Sequence, residues 1–478
     1  MSILDGIEPK RVMHYFEQLC SIPHGSGNTA AATKLCRDFA ANKGLEFWED
    51  DLGNCIIKKK AYDGYESAPT VILQGHLDMV CEKEKNCMID MSKEGLNLKV
   101  SGEDIFAEGT TLGGDDGIAV AMMLALLEDD DLPHPAIEAL FTVDEEIGMI
   151  GATALDASNL SGKYLINLDS EDEGVFTVSC AGGVVAICNI PIVRTEFDGL
   201  CYNLEISGLC GGHSGAEIDK GRANADVLMG RLLLALSKQG AMRIVTVDGG
   251  LKDNAIPSRA IAEIVCDFDP QNVIHQMQQT FDKEFVVAEN SISITVAKSI
   301  SQDFAPMDSK STDKVITALC CYPNGIQSMS LEIEGLVKTS LNLGILKTEK
   351  DCIMAHFCVR SSVFTEKQAL VDKLVLLTKT LGGEVVTEGD YPPWEYLRDS
   401  KLRDVMTDVF EDMYGRKPVI EAIHAGIECG ILSGKLPGLE CVSIGPDIKD
   451  IHTPAERMSI SSVQRVWDYM IEVLKRIK

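Results

Sequence analysis

Three apolar runs end in histidine or carboxylate: VILQGHLD at 71–78, LFTVDEE at 140–146 and YLINLD at 164–169. A fourth segment, TLGGDDG at 111–117, sets two aspartates on a glycine-rich turn. Imidazole and carboxylate donors together suit zinc, and a shared carboxylate suits two metals about 3.5–4 Å apart. Each segment also has a plainer reading. His76 and Asp78 fall on the same side of a strand and could be a hydrogen-bonded structural pair. Asp115 and Asp116 could cap a helix and favour its dipole. Asp144, Glu145 and Glu146 could lie in a solvated turn, although adjacent carboxylates at a buried strand end repel one another unless a cation or proton intervenes. Asp169 repeats that arrangement. His452, in SIGPDIKDIHTP, taken alone reads as a polar surface histidine.

Donors spread over five segments need a scaffold that brings strand ends together. Helical spacing in PKRVMHYFEQLCSI and TAAATKLCRDFAANKG alternates with strand-length apolar runs such as TVILQG, IEALFTV and KYLINL. This predicts an α/β catalytic domain whose central mixed sheet is covered by helices on both faces, with ligands bound at the carboxyl ends of its strands. GGDDGIAVAMMLALLED reads as a loop entering a buried helix. From Val184 the runs CYNLEISG, AIAEIVCDF, SISITVAK and CIMAHFCVR alternate more regularly, which predicts an inserted α+β unit with a sheet covered on one face. GDYPPW closes it, and the first pattern then resumes, ending in a long amphipathic helix from about Ser461. The expected boundaries are residues 1–183 and 393–478 for the catalytic domain and 184–392 for the insertion.

Composition narrows the function classes. With 44 Lys+Arg against 73 Asp+Glu, the formal charge is -29, which argues against nucleic acid or an anionic membrane as a partner. The start of the sequence lacks a signal-peptide pattern and no apolar run reaches the ~18 residues of a membrane span, so a cytoplasmic location is expected. The 16 cysteines, several in apolar runs and none in CxxC spacing, read as reduced core thiols.

The ordered set GHLDMV, GGDDGIAVA, DEEIGMIGA, NLDSE, GGHSG and HTPAE resembles the co-catalytic metallopeptidases that include carnosinases, aminoacylases and acetylornithine deacetylase. The likeness is strongest to those members that cleave unblocked dipeptides, Xaa-His among them, and spans nearly the whole chain; only about 265–345 offers no signature. The resemblance implies two divalent metal ions, zinc first, with manganese or cobalt as alternatives. It makes His76, Asp115 and Asp169 ligands of one ion and Asp115, Glu146 and His452 ligands of the other, with Asp115 bridging. Asp116 stands where an asparagine is expected, so it competes with Asp115 for the bridging role. Glu145 becomes the general base acting on a shared water, and Asp78 orients His76.

In the insertion, the resemblance gives His213 of LCGGHSGAEID a role at the oxyanion, often across a dimer, with lid closure completing the site. Asn254 and Arg360 resemble residues that bind the substrate's carboxylate end, and His424, Gly426 and Glu428 of IHAGIECGIL resemble a glycine-rich substrate loop. Without the resemblance, His213 reads as a loop histidine, Arg360 as half of a surface ion pair, and Glu428 as a partner for a structural lysine. The implied protein is a homodimeric metallo-dipeptidase. Its rivals are an N-acyl amino acid deacylase on the same scaffold and a silent peptide-binding relative; the intact Glu145 argues against silence.

Overall fold

The structure is a computed structural model that describes residues 3–299 and 305–478. The chain divides into two compact units, one formed by Met1–Ser179, Tyr396–Ala422 and Ile427–Lys478, the other by Cys180–Glu395 and Ile423–Gly426.

The first unit is built on an eight-stranded mixed sheet in the order Glu46–Glu49, Cys55–Lys59, Ile137–Thr142, Val71–His76, Tyr164–Asn167, Glu440–Ser443, Val175–Cys180 and Val419–Ile423. Val71–His76 runs parallel to both Ile137–Thr142 and Tyr164–Asn167, and the latter is parallel to Glu440–Ser443. Every residue of Val71–His76 and Ile137–Thr142 is buried, and successive side chains point to opposite faces, so both faces of the sheet centre are covered. Helix Gly114–Glu128 packs on Val71–His76 and is itself packed by helix Lys10–Cys20, which explains why it is apolar all round from Ile118 to Leu127. Regular helical geometry starts only after Asp116, since Asp115 and Asp116 depart from helical dihedrals. The carboxyl ends of the parallel strands therefore share one edge, and that edge leads directly into the segments carrying His76, Asp78, Glu145, Glu146 and Asp169.

The second unit is α+β. Its nine-stranded sheet is antiparallel throughout, running from Ser293–Lys298 through Leu200–Ser207, Ala260–Cys266, Met242–Gly249, Val337–Thr348, Cys352–Ser361 and Gly182–Pro191 to Glu384–Tyr391, with Gly325–Met329 paired to Val337–Thr348. Along Leu200–Ser207, Tyr202, Leu204 and Ile206 are buried while their neighbours are open, the alternation of a sheet with one covered face. Helices Ala225–Ser237, Ser309–Cys321 and Phe364–Thr380 supply the cover and close the main apolar core. Among the described residues no helix is long and apolar enough to cross a membrane.

Candidate metal centre and active site

Strand register sets the first contacts of the centre. His76 ends its strand opposite Thr142, and its imidazole Nε2 stands 3.1 Å from Asp115 Oδ1 and 3.5 Å from Asp169 Oδ1. His452, in a loop with φ 60°, brings its Nε2 to 3.1 Å from Asp115 Oδ2 and 3.0 Å from Glu146 Oε1. Asp115 thus faces one imidazole with each of its oxygens. Two groups, His76 with Asp115 and Glu146, and His76 with Asp116 and Asp169, have donor atoms within 4.8 Å of one another.

Asp116 is held differently. Its Oδ2 accepts the backbone N–H of His76 at 3.1 Å, and the side chain is buried. Gly75 makes room for it: a Cβ there would lie 2.5 Å from that oxygen and 2.8 Å from the Ala119 methyl carbon.

Asp78 fastens the ring and the acidic turn together. The His76 Nδ1 lies 2.9 Å from the Asp78 carbonyl, leaving Nε2 toward Asp115. The Asp78 carboxylate accepts N–H bonds from Glu145 at 3.0 Å and Glu146 at 3.3 Å, and the Ser26 hydroxyl at 2.8 Å. One residue therefore meets the imidazole through its backbone carbonyl and, through its carboxylate, fixes the backbone beneath two further carboxylates.

Electrostatics decide what the cluster can hold. Burial, then the charges of Asp169, Glu428 and Glu146 against an opposing His76, pushes Glu145 up to about 9. Asp169 rises to about 7 through burial, with Asp115 adding to it against His76. Asp115 goes the other way: burial opposes its ionisation, but His452 and His76 hold it low. Hydrogen bonds to Asp115 and Glu146 raise His452 to about 10. Clustered buried acids need positive charge among them, and nitrogen with carboxylate oxygen is the donor mixture of zinc, manganese or cobalt. The residues fit a pair of divalent cations.

Two contributors were not singled out from sequence. Glu456, the acid of HTPAE, is buried and accepts the N–H groups of Leu112 at 2.7 Å, Gly113 at 3.2 Å and Gly114 at 2.8 Å, tying the His452 loop to the turn that presents Asp115. Its spacing from His452 was visible in the motif, but its partners are far away in the chain. Glu171, pushed up to about 7 by burial and then by Asp115, adds to the negative field and was legible only as one acid in a run.

The second unit gathers its own set. His213 Nδ1 accepts N–H bonds from Gly215 at 3.3 Å and Ala216 at 3.0 Å, which places the ring proton on Nε2. Burial and the Arg360 charge keep His213 below its ordinary value, so the ring is neutral near pH 7. Gly215 sits where these groups converge: a Cβ there would stand 2.7 Å from the His424 carbonyl oxygen, 3.0 Å from His213 Cε1 and 3.3 Å from Arg360 Cζ. The His424 ring meets the Ser340 hydroxyl at 2.7 Å, and burial followed by the Arg360 charge lowers it to about 4. Arg360 is buried, donates to the Tyr391 hydroxyl at 3.3 Å and lines a cavity of about 480 Å³ with Asn254, Lys252 and Tyr391; its Nε has no hydrogen-bond partner among the described residues. Gly426 follows His424 in the same short segment and is partly exposed. Glu428 belongs instead to the first unit, is fully buried and binds Gln74 and Thr142. Among the described residues, no lysine is one of its hydrogen-bond partners.

A family model for Peptidase family M20/M25/M40 matches residues 72–476. The chain belongs to this peptidase family. Among its M20 relatives, the cytosol non-specific dipeptidase of Escherichia coli is 34% identical over 100% of this chain and 99% of its own length. The crystal structure of aminoacylhistidine dipeptidase from Vibrio alginolyticus is also 34% identical, with a TM-score of 0.93 over 99% of this chain and 98% of that one. At 17% identity and a TM-score of 0.57, the aminopeptidase PepT structure from Bacillus cereus, aligned over 98% of this chain and 99% of its own, shares the M20 fold. The strand-end carboxylates and histidines described above all lie within the segment matched as an M20 peptidase.

Proposed function

We propose that the chain is a metal-dependent dipeptidase acting on unblocked dipeptides, Xaa-His among them. The observation that carries this reading is Asp115 set between two imidazoles, with Glu146 and Asp169 adjoining and Glu145 beside them in none of the imidazole contacts. The first cation would be held by His76, Asp115 and Asp169, the second by Asp115, Glu146 and His452, with Asp115 shared and Asp116 supporting from behind the His76 backbone. Bound there, two divalent ions, zinc foremost and manganese or cobalt as alternatives, would lower the pKa of water toward ~7 and polarise the scissile carbonyl.

Glu145 takes the proton of the attacking water and passes it to the leaving amine, so one carboxylate serves as base and then acid. Asp78 holds the His76 tautomer. His213, whose Nδ1 is occupied by backbone N–H groups, has Nε2–H to offer a developing oxyanion. Arg360 and Asn254 receive the substrate's carboxylate terminus, with His424 and Gly426 completing that end; a guanidinium suits a carboxylate because its fork matches two oxygens. We assign the insertion the role of a lid, and the working form is a cytoplasmic homodimer.

The relatives' names favour dipeptides over acylated amino acids, as does their full-length coverage. A panel of Ala-His, β-Ala-His and other free dipeptides beside N-acetyl amino acids tests the choice. Hydrolysis of the free dipeptides is expected; cleavage confined to the acetylated compounds would select a deacylase, and binding without cleavage a silent relative.

A further inference from the structure

Directly beneath the metal-facing residues lies a second polar layer. Gln74 precedes His76 by two residues on one strand, so period-two geometry puts it below that candidate ligand, and Asn167 ends its strand two residues before Asp169. The register pairs Gln74 with Asn167 and His76 with Thr142, which leads into Glu145 and Glu146. Gln74, Thr142, Asn167 and Glu428 are all 0% exposed. Asn167 Nδ2 donates to Gln74 Oε1 at 2.6 Å, and Gln74 Nε2 donates to Glu428 Oε2 at 2.5 Å. The Thr142 hydroxyl donates to that same Oε2 at 2.7 Å. Glu428, at the start of helix Glu428–Lys435, thus binds two of the strands that carry the centre and reaches the third through Gln74.

We propose that Glu428 is a positioning residue of the metal centre, gathering Gln74, Thr142 and, through Gln74, Asn167 so that three strand ends hold His76, Glu146 and Asp169 in one geometry. A carboxyl group suits this place because a single oxygen, Oε2, accepts from both the Gln74 amide and the Thr142 hydroxyl in surroundings where water does not weaken the bonds. Full burial keeps substrate from the Glu428 oxygens, so its effect passes through the strands. The proposal rests on the metal-centre reading and adds to it the means by which ligands from separate strands share one spacing.

Three variants test it: Glu428→Leu removes the acceptor at similar size, Thr142→Val removes one donor without changing shape, and Thr142→Ser restores that donor. Metal affinity is read by competition with a chelator followed by emission spectroscopy of bound zinc, and kcat and KM are measured separately. Glu428→Leu and Thr142→Val should each bind zinc about 10–100-fold more weakly, with kcat reduced and KM within about twofold, whereas Thr142→Ser stays near wild type. Wild-type zinc affinity in Thr142→Val overturns the proposal, as does a Thr142→Ser variant impaired as badly as Thr142→Val. A Glu428→Leu defect lying wholly in KM, with zinc affinity intact, would make Glu428 a substrate contact instead. Should Glu428→Leu fail to fold, the Thr142 pair still decides. If the wild-type protein binds zinc yet cleaves no dipeptide, the functional reading fails while the affinity comparison still tests the layer.

Discussion

Glu145, a carboxyl group, and His424, an imidazole, are moved far from their solution behaviour in opposite directions by the same cause, burial beside like charge. At Glu145 burial, with acidic neighbours adding to it, favours the protonated form until cations share the site. Glu145→Gln keeps size and hydrogen bonding but cannot accept a proton: turnover should fall by roughly 10²–10⁴ while the metal content measured by emission spectroscopy stays at the wild-type value. At His424 burial and Arg360 disfavour the charged ring, lowering it from 6.5 to about 4. The unfolded chain then binds the proton that the native ring refuses, so this group's contribution to stability is present above about pH 6.5 and is lost as pH falls toward 4. The shift corresponds to about 3 kcal/mol at most. Melting temperatures of wild type and His424→Gln should converge between pH 7 and pH 4; a gap that stays constant or widens on acidification would contradict the assignment.

Elements place these groups by backbone constraint as much as by side-chain choice. Parallel register aligns the strand ends, Asp78 and Glu456 tie the turns that follow, and close-packed glycines let separate segments meet. Gly215 is the clearest case, because no side chain fits among His424, His213 and Arg360. Gly215→Ala must move at least one of them, and displacement of a positioning group by ~1 Å can cost up to 10²-fold. We expect kcat/KM to fall tenfold or more with metal content unchanged. Unaltered kinetics would mean that the three groups do not act together.

Across the whole molecule, the central strands and their acidic ends were legible because apolar runs of strand length stopped abruptly at His76, Asp144 and Asp169. The fully buried helix after Asp116 was legible from its unbroken apolar stretch. What sequence could not reveal was any pairing across long separations: Glu456 with the Leu112–Gly114 amides, Asp116 behind the His76 backbone, or Glu428 under the strands. Nor does any composition change mark Ile423–Gly426, four residues that group with the second unit while the chain on either side belongs to the first. Those facts arise from packing, which local periodicity does not encode. Paired cations held by strand-end carboxylates and two histidines should be what lets the protein hydrolyse a free dipeptide. The most direct test of this strips the protein with a chelator, removes the chelator, and titrates Zn²⁺, Mn²⁺ or Co²⁺ back while following Ala-His cleavage and bound metal together. Activity should be abolished on stripping and return as two equivalents bind, with His452→Ala binding fewer; full cleavage by verified metal-free protein, or saturation at a single ion with His452→Ala indistinguishable from wild type, would contradict it.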